Sequence, residues 1–296
     1  MLPRVLLPLF VSTFFVPTLF AQPNPAPQSA SVITATFWNV QWFPGRRPNA
    51  SRWEEDRQVR AVHRDLASLN SDLVALEEVR NFEQAALAVK PLPGFKVDVC
   101  SNFPAREGQV EAQQVAITSR LQPLAAWAES WKPRSALLPP RGFAFAAYQI
   151  APRQVLLVYA LHLKSNRGEL HEDMRIREES MQQLLAHTKA MKEAYEKLGA
   201  LTWMVGGDFN TAPDDPRFGR EKTVPALLAQ DFRWAWEGIP FKSRITVPAD
   251  ERYPAASFDQ IFYRGATLVR SWLVSTSPQS SDHRAVSVML NCSGGL

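Results

Sequence analysis

Short runs of β-branched, aromatic and aliphatic residues follow one another closely along this chain, with few helical stretches between them. That alternation limits the folds open to it more than any other feature. Strands are expected at residues 32–40, 73–79, 95–100, 114–119, 143–150, 155–163, 201–206, 258–263, 267–275 and 284–290. Helical spacing is confined to residues 52–69, 83–90 and 169–197. The first of these opens on Ser51 with Glu54 three residues on, a capping box, and carries Val59, Val62, Leu66 and Leu69 on one face. A regular βαβ repeat needs a helix for nearly every strand, so it does not fit. Two packed sheets with helices outside fit better, over one domain from residue 32 to the end.

The segment before residue 32 reads differently. Arg4 is followed by an apolar run to Phe20 and a small residue, Ala21, which is the pattern of an export signal over residues 1–21. Pro8 and Pro17 make that run a poor membrane-spanning helix, although Leu19 three residues before the cleavage point leaves an uncleaved anchor as the alternative. Residues 22–31 form a proline-rich linker. The formal charge of +4 falls to +3 without Arg4, a balance that neither demands nor forbids a polyanionic partner. In an exported protein Cys100 and Cys292 are either a bridge or two buried thiols.

Polar residues recur at the ends of the apolar runs, where a rigid scaffold hands side chains to a site. Asn39 interrupts Phe37-Trp38-Asn39-Val40, and Glu77-Glu78 closes a strand. His162 ends another and leads into Lys164-Ser165-Asn166-Arg167. Asp208 and Asn210 follow Gly206-Gly207, where the backbone can turn sharply or approach a ligand. Two residues apart in extended chain, they project to one side, an acceptor beside a neutral donor. Asp259 is a lone carboxylate in Phe258–Phe262, and Ser281-Asp282-His283 precedes the last strand. A buried carboxylate needs a cationic or N–H partner, and a histidine held by one is fixed in tautomer.

Taken in order, Asn, Glu, His, Gly-Asp-Phe-Asn, Asp and Ser-Asp-His resemble the endonuclease/exonuclease/phosphatase superfamily over about residues 32–291. The resemblance implies an α/β four-layer sandwich of two mainly antiparallel β-sheets flanked by helices. It implies that Asn39, Glu78 and Asp282 bind or support a divalent metal, Mg²⁺ or alternatively Mn²⁺, with Glu77 standing where glutamine is common. It also implies that Asp208 deprotonates the attacking water and that Asn210 steadies the phosphoryl group. His283 meets the scissile phosphate, Asp259 orients it, and His162 serves the leaving group.

Such a protein hydrolyses a phosphoester, with nucleic acid the leading substrate and a small phosphoester or lipid the alternative, and it is expected to act as a monomer. Lys164, Asn166 and Arg167 are candidates for holding substrate phosphate. A nucleic-acid substrate would need basic or aromatic surface at the site, which Arg46, Arg47 or a loop over residues 123–142 could offer. Trp127, Trp131, Lys132, Arg134 and Arg141 in that loop could stack on bases, or equally the tryptophans could be core and the cations solvated. Ala136-Leu137-Leu138 is a faint candidate for a membrane-contacting patch. Export predicts a mature N-terminus near Gln22, and intact-mass measurement on protein from the native host should find it there. Soluble protein retaining Met1 would contradict it.

Overall fold

The computed structural model describes residues 32–105, 113–134 and 136–293; the expected signal and linker lie outside them. The first sheet is built from β1 (Val32–Phe43), β2 (Leu73–Val79), β3 (Lys96–Cys100) and β4 (Gln114–Ser119), with β11 (Thr267–Leu273) and β12 (Val286–Asn291) added from the far end of the chain. The second holds β5 (Pro123–Ser130), β6 (Gly142–Ala151), β7 (Gln154–His162), β8 (Ala200–Asp208), β9 (Arg233–Trp234) and β10 (Asp259–Arg264). Their orders are β11-β12-β1-β2-β4-β3 and β5-β6-β7-β8-β10-β9. Each sheet has one parallel pair, β1 with β2 and β7 with β8, and every other pairing is antiparallel.

Parallel neighbours need a crossover. Helix α1 (Arg52–Ala67) makes the first and α3 (Leu170–Tyr195) the second, while α2 (Phe82–Val89) and α4 (Thr223–Leu228) complete the outer layers. Ser51 and Glu54 form the capping box at the start of α1. Val62 and Leu66 of α1 pack with Val74 and Leu76 outside the first sheet. Met181 and Leu184 of α3 pack with Leu157 and Val205 outside the second. The four-layer sandwich is therefore present. No helix among the described residues is long and apolar enough to cross a membrane.

The inter-sheet core decides where the site falls. Strand side chains alternate, so each strand sends one row inward. These rows read Ile33-Ala35-Phe37, Leu73-Ala75, Leu156-Val158-Ala160 and Met204 with Ile261. The Phe37 ring lies against Gly206 so closely that a Cβ there would come within 2.7 Å of it. Glycine at 206 is thus what lets the two sheets meet at this point.

Two expectations change. Residues 123–130 form strand β5, not part of a loop, because Pro123–Ser130 pairs along β6. Trp127 packs on Phe145 with ring centres 4.5 Å apart, and Trp131 is buried against Phe143, so neither offers a stacking surface to a substrate. The short α4 and β9 were not foreseen: a six-residue helix and a two-residue strand are too brief to set up a period. The cysteines are free. Cys100 ends β3 and Cys292 follows β12, with β4, β2 and β1 between them in the sheet. Four spacings at about 4.8 Å exceed by far the roughly 7 Å limit for bridging.

Candidate active site

Extending each inward row by one step past its last apolar residue yields a polar side chain. Phe37 leads to Asn39, Ala75 to Glu77, Ala160 to His162, Gly206 to Asp208, and Ile261 back to Asp259. The register brings them together: His162 stands beside Asp208 across the β7–β8 pair, and Asp208 faces Asp259 across β8–β10. The site is the polar end of the core.

Asp208 is its centre. Its Oδ2 accepts from the Asn39 amide at 3.1 Å, across the gap between sheets. The same oxygen lies 3.5 Å from His162 Nε2 and 3.9 Å from His283 Nε2. Its Oδ1 accepts from the Asn210 backbone N–H at 2.9 Å. Burial pushes this carboxyl up to about 7, against the pull of His283 and with Asp259 and Glu78 adding to the rise. Glu78 receives the same Asn39 amide at 3.1 Å and the Trp42 N–H at 3.0 Å, and burial raises its carboxyl too.

His283 is held by Asp259, with Nδ1 2.9 Å from the nearer carboxylate oxygen. Burial alone would lower its imidazole, but Asp259 and Asp208 outweigh it and keep the ring well above the usual histidine range. His162 goes the other way: burial, then Arg141 and His283, push it well below that range, so its ring is neutral. Its Nδ1 has no hydrogen-bond partner, so the tautomer inferred carries the hydrogen on Nε2, toward Asp208 and Glu78. Asp208, Asp259 and His283 lie within reach of a single ion. In the short Asp259–His283 bond, however, Nδ1 carries the hydrogen it donates to the carboxylate and has no lone pair for a metal, so that trio is better read as an oriented imidazole than as a metal cage.

The remaining predicted residues sort by their contacts. Asn210, with left-handed backbone at φ 53°, donates from its amide to the Leu163 carbonyl at 3.2 Å. Asp282 is exposed at the rim and accepts from the Gln41 amide at 2.9 Å. Lys164 is occupied by Asp173 at 2.5 Å on α3. Asn166 bridges the Asn210 carbonyl (2.7 Å) and Arg177 (2.8 Å), leaving Arg167 as the exposed member of its loop. Arg47 pairs with Glu54 at 2.8 Å. Sequence reading missed Arg141 as a brace, which donates to the carbonyls of His162 and Leu163 at 2.8 and 2.6 Å. It also missed Arg177, fully buried with Glu221 at 2.8 Å. Both read as ordinary cations when their partners are unknown.

Glu77 is the unusual residue. It is fully buried, neither carboxyl oxygen has a hydrogen-bond partner, and its Oε1 would lie 3.0 Å from a Cβ on Gly207. Burial first, then Asp259 and Asp208, hold its carboxyl well above the ordinary 4.5. With Glu78, Asp208 and Asp259 it makes a convergence of carboxyls around hard oxygen donors, a donor set that suits a divalent cation such as Mg²⁺ or Mn²⁺. By the resemblance, Glu78 and Asn39 are the residues that would hold such an ion, with Asp282 at the rim. A raised folded-state pKa means stability is intact at low pH and is lost as pH climbs past 4.5. Glu77→Gln should therefore stabilise the metal-free protein at pH 8 by about 1–3 kcal/mol, with the gain vanishing toward pH 4. Denaturant melts in chelator at both pH values would show it, and equal stability at pH 8 would contradict it.

The endonuclease/exonuclease/phosphatase family profile matches residues 36–283. Among solved structures, an endonuclease/exonuclease/phosphatase protein from Beutenbergia cavernae aligns with TM-score 0.64 at 17% identity, over 88% of this chain and 71% of that one. A humanized D. rerio TDP2 aligns with TM-score 0.63 at 19% identity, over 88% and 100%. D. rerio TDP2 complexed with a single-strand DNA product aligns with TM-score 0.61 at 18% identity, over 88% and 99%. No curated protein sequence matches. The structural likenesses speak for the fold, and the profile spans every residue assembled above: this chain belongs to the endonuclease/exonuclease/phosphatase family.

Proposed function

We propose that the protein is an exported, Mg²⁺-dependent phosphodiesterase acting on nucleic acid. The family's chemistry, hydrolysis of phosphoester bonds with a divalent metal, is the ground for this reading. The observation that carries it is the meeting at Asp208 of Asn39, His162 and His283, with Glu78 on the same Asn39 amide. A bound divalent ion supplies a Lewis acid that polarises the phosphoryl oxygen.

The chain's own residues do the rest. Asp208, with its carboxyl near neutrality, accepts a proton from the attacking water. His283, kept charged by Asp259, donates to a phosphoryl oxygen as negative charge builds there. His162, which burial holds well below the usual histidine range, gives the leaving oxygen a hydrogen bond, in keeping with the donor role implied by the resemblance. The leaving oxygen takes its proton from solvent.

Support for a nucleic-acid substrate comes from an arm beside the site. Residues 247–256 form a hairpin bridged at Val247 and Ala256. Its root is Thr246, whose hydroxyl accepts from the Asp259 N–H at 3.2 Å and whose carbonyl accepts from the Arg284 N–H at 2.8 Å. At the tip, Asp250 accepts from the amides of Arg252 and Tyr253, both at 2.7 Å, and Tyr253 stands 63% exposed. An exposed ring at the tip of an arm rooted beside Asp259 suits stacking on a base. The TDP2 structure with a single-strand DNA product is consistent with such a substrate.

A panel of DNA, RNA, sphingomyelin, inositol phosphates and a chromogenic phosphodiester, each with Mg²⁺ and with chelator, tests the assignment. Tyr253→Ala should cut kcat/KM on an oligonucleotide by about 5- to 100-fold, the equivalent of one base stack, and leave the chromogenic ester unaffected. Turnover of sphingomyelin or inositol phosphates alone would overturn the nucleic-acid reading.

The Asp259–His283 pair gives a separate expectation. Asp259→Asn should slow the reaction by roughly 10- to 1000-fold. Without the carboxylate, His283 loses its proton earlier, so the alkaline limb of the rate profile should move to lower pH. Full activity with an unmoved profile would make Asp259 merely structural.

A further inference from the structure

Gln41 (φ 47°) and Trp42 (φ 48°) hold left-handed backbone in succession, and Glu78 (φ 63°) does so opposite them. Side chains other than glycine adopt that conformation at a cost, and it persists only where its surroundings over-determine it. The turn serves a purpose visible in its amides. The Gln41 N–H donates to Asn39 Oδ1 at 2.9 Å, and the Trp42 N–H donates to Glu78 Oε2 at 3.0 Å. Both groups placed to hold the metal are thus aimed by one strained turn.

One side chain holds the turn from behind. Gln58, on α1 and 1% exposed, shares its amide hydrogens among the carbonyls of Val40 (2.7 Å), Gln41 (3.1 Å) and Ser280 (2.7 Å). Its oxygen accepts from the Gly45 N–H and, at 3.1 Å, from the Arg46 N–H. The Ser280 contact ties in the segment of His283. Ser281 there donates to the Asn39 carbonyl at 2.7 Å and accepts from the His283 N–H at 3.0 Å. Gln41 closes the circuit, donating to Asp282 at 2.9 Å and accepting from Arg46 Nε at 2.6 Å. Both polar atoms of the Gln58 side chain are spent on backbone, and the segments they join run on either side of the Gln41–Trp42 turn and into the segment of His283.

We propose that Gln58 is a positioning residue: its buried amide locks the left-handed turn at Gln41 and Trp42, and through that turn it sets Asn39 and Glu78 for a divalent ion. This rests on the reading of Glu78 as the metal ligand. An amide that only stitched loops together would leave metal affinity alone, so affinity is the discriminating quantity.

Mn²⁺ titrated calorimetrically into the metal-free full-length protein is the test, with Glu78→Gln as reference. Gln58→Met keeps the volume and removes the hydrogen bonds; it should melt cooperatively and bind Mn²⁺ about 10- to 100-fold more weakly. A folded Gln58→Met with unchanged affinity, alongside a Glu78→Gln that has lost it, overturns the proposal. Unchanged affinity in Glu78→Gln instead removes the metal assignment on which it rests. If Gln58→Met does not fold, Gln58→Glu decides by the same titration, since it keeps the acceptor for Gly45 and Arg46 but loses the donors. Amide exchange in the unaltered protein is independent of any variant: the Gln41 and Trp42 hydrogens should be as protected as those of residues 33–37 in the regular part of β1, and rapid exchange there also overturns the proposal.

Discussion

Asn39 belongs to one sheet and Asp208 to the other, and the 3.1 Å hydrogen bond between them spans the seam. Most of the site can be traced outward from that bond. The same Asn39 amide reaches Glu78, and the same Asp208 oxygen faces both histidines. A neutral amide is suited to this junction, since it can donate to two carboxylates at once without adding a charge of its own. With Glu77 and Asp259 close by, negative charge accumulates where water is scarce, which is why burial raises the carboxyls of Glu77, Glu78 and Asp208 together.

The two sheets reach this junction by the same route. In each, a hairpin leads into a parallel pair joined over an outer helix, and the remaining two strands follow in crossed order. Asn39 lies in the second half of β1 and His162 ends β7, the first strands of the two pairs; Glu78 is the last residue but one of β2 and Asp208 ends β8, their second strands. The crossover helices correspond as well. Both send buried polar side chains to the loops at the strand ends, Gln58 from α1 and Arg177 with Asp173 from α3. Arg177 grips the Lys164 carbonyl and Asn166 while neutralised by Glu221. Removing one member of such a buried ion pair costs about 3–5 kcal/mol, so the loop carrying Asn166 is firmly fixed.

Much of this was legible in the sequence. Long apolar runs give away strands, and a polar residue that breaks an inward row, as Asn39, His162 and Asp259 do, advertises itself because burying it is costly without a partner. Partners themselves are less legible. Glu77 and Glu78 are neighbours, and alternation says only that they diverge; which one turns to the seam depends on the left-handed backbone at Glu78 and the break in β2 register after Glu77. Gln58 looked like one more polar residue on an amphipathic helix, since its partners lie in separate loops as far away as Ser280. Trp127 was ambiguous because β5 is an edge strand with half-buried faces, so its row shows no clean alternation, and Trp131 lies just beyond it, outside any strand period.

Because the reactive residues continue the inward rows of the strands, core and site share a single set of struts. The last apolar side chain of a row, such as Phe37 against Gly206, determines how far apart the sheets stand, and Asn39 and Asp208 each sit two positions further along those same strands. Tolerance to mutation is therefore graded along each strand. Changes at the end remote from the seam are absorbed locally, whereas a change of one methylene near it widens or narrows the active centre. A lineage exploring new substrates on this framework is channelled toward arms such as the 247–256 hairpin, which can be rebuilt without moving the struts.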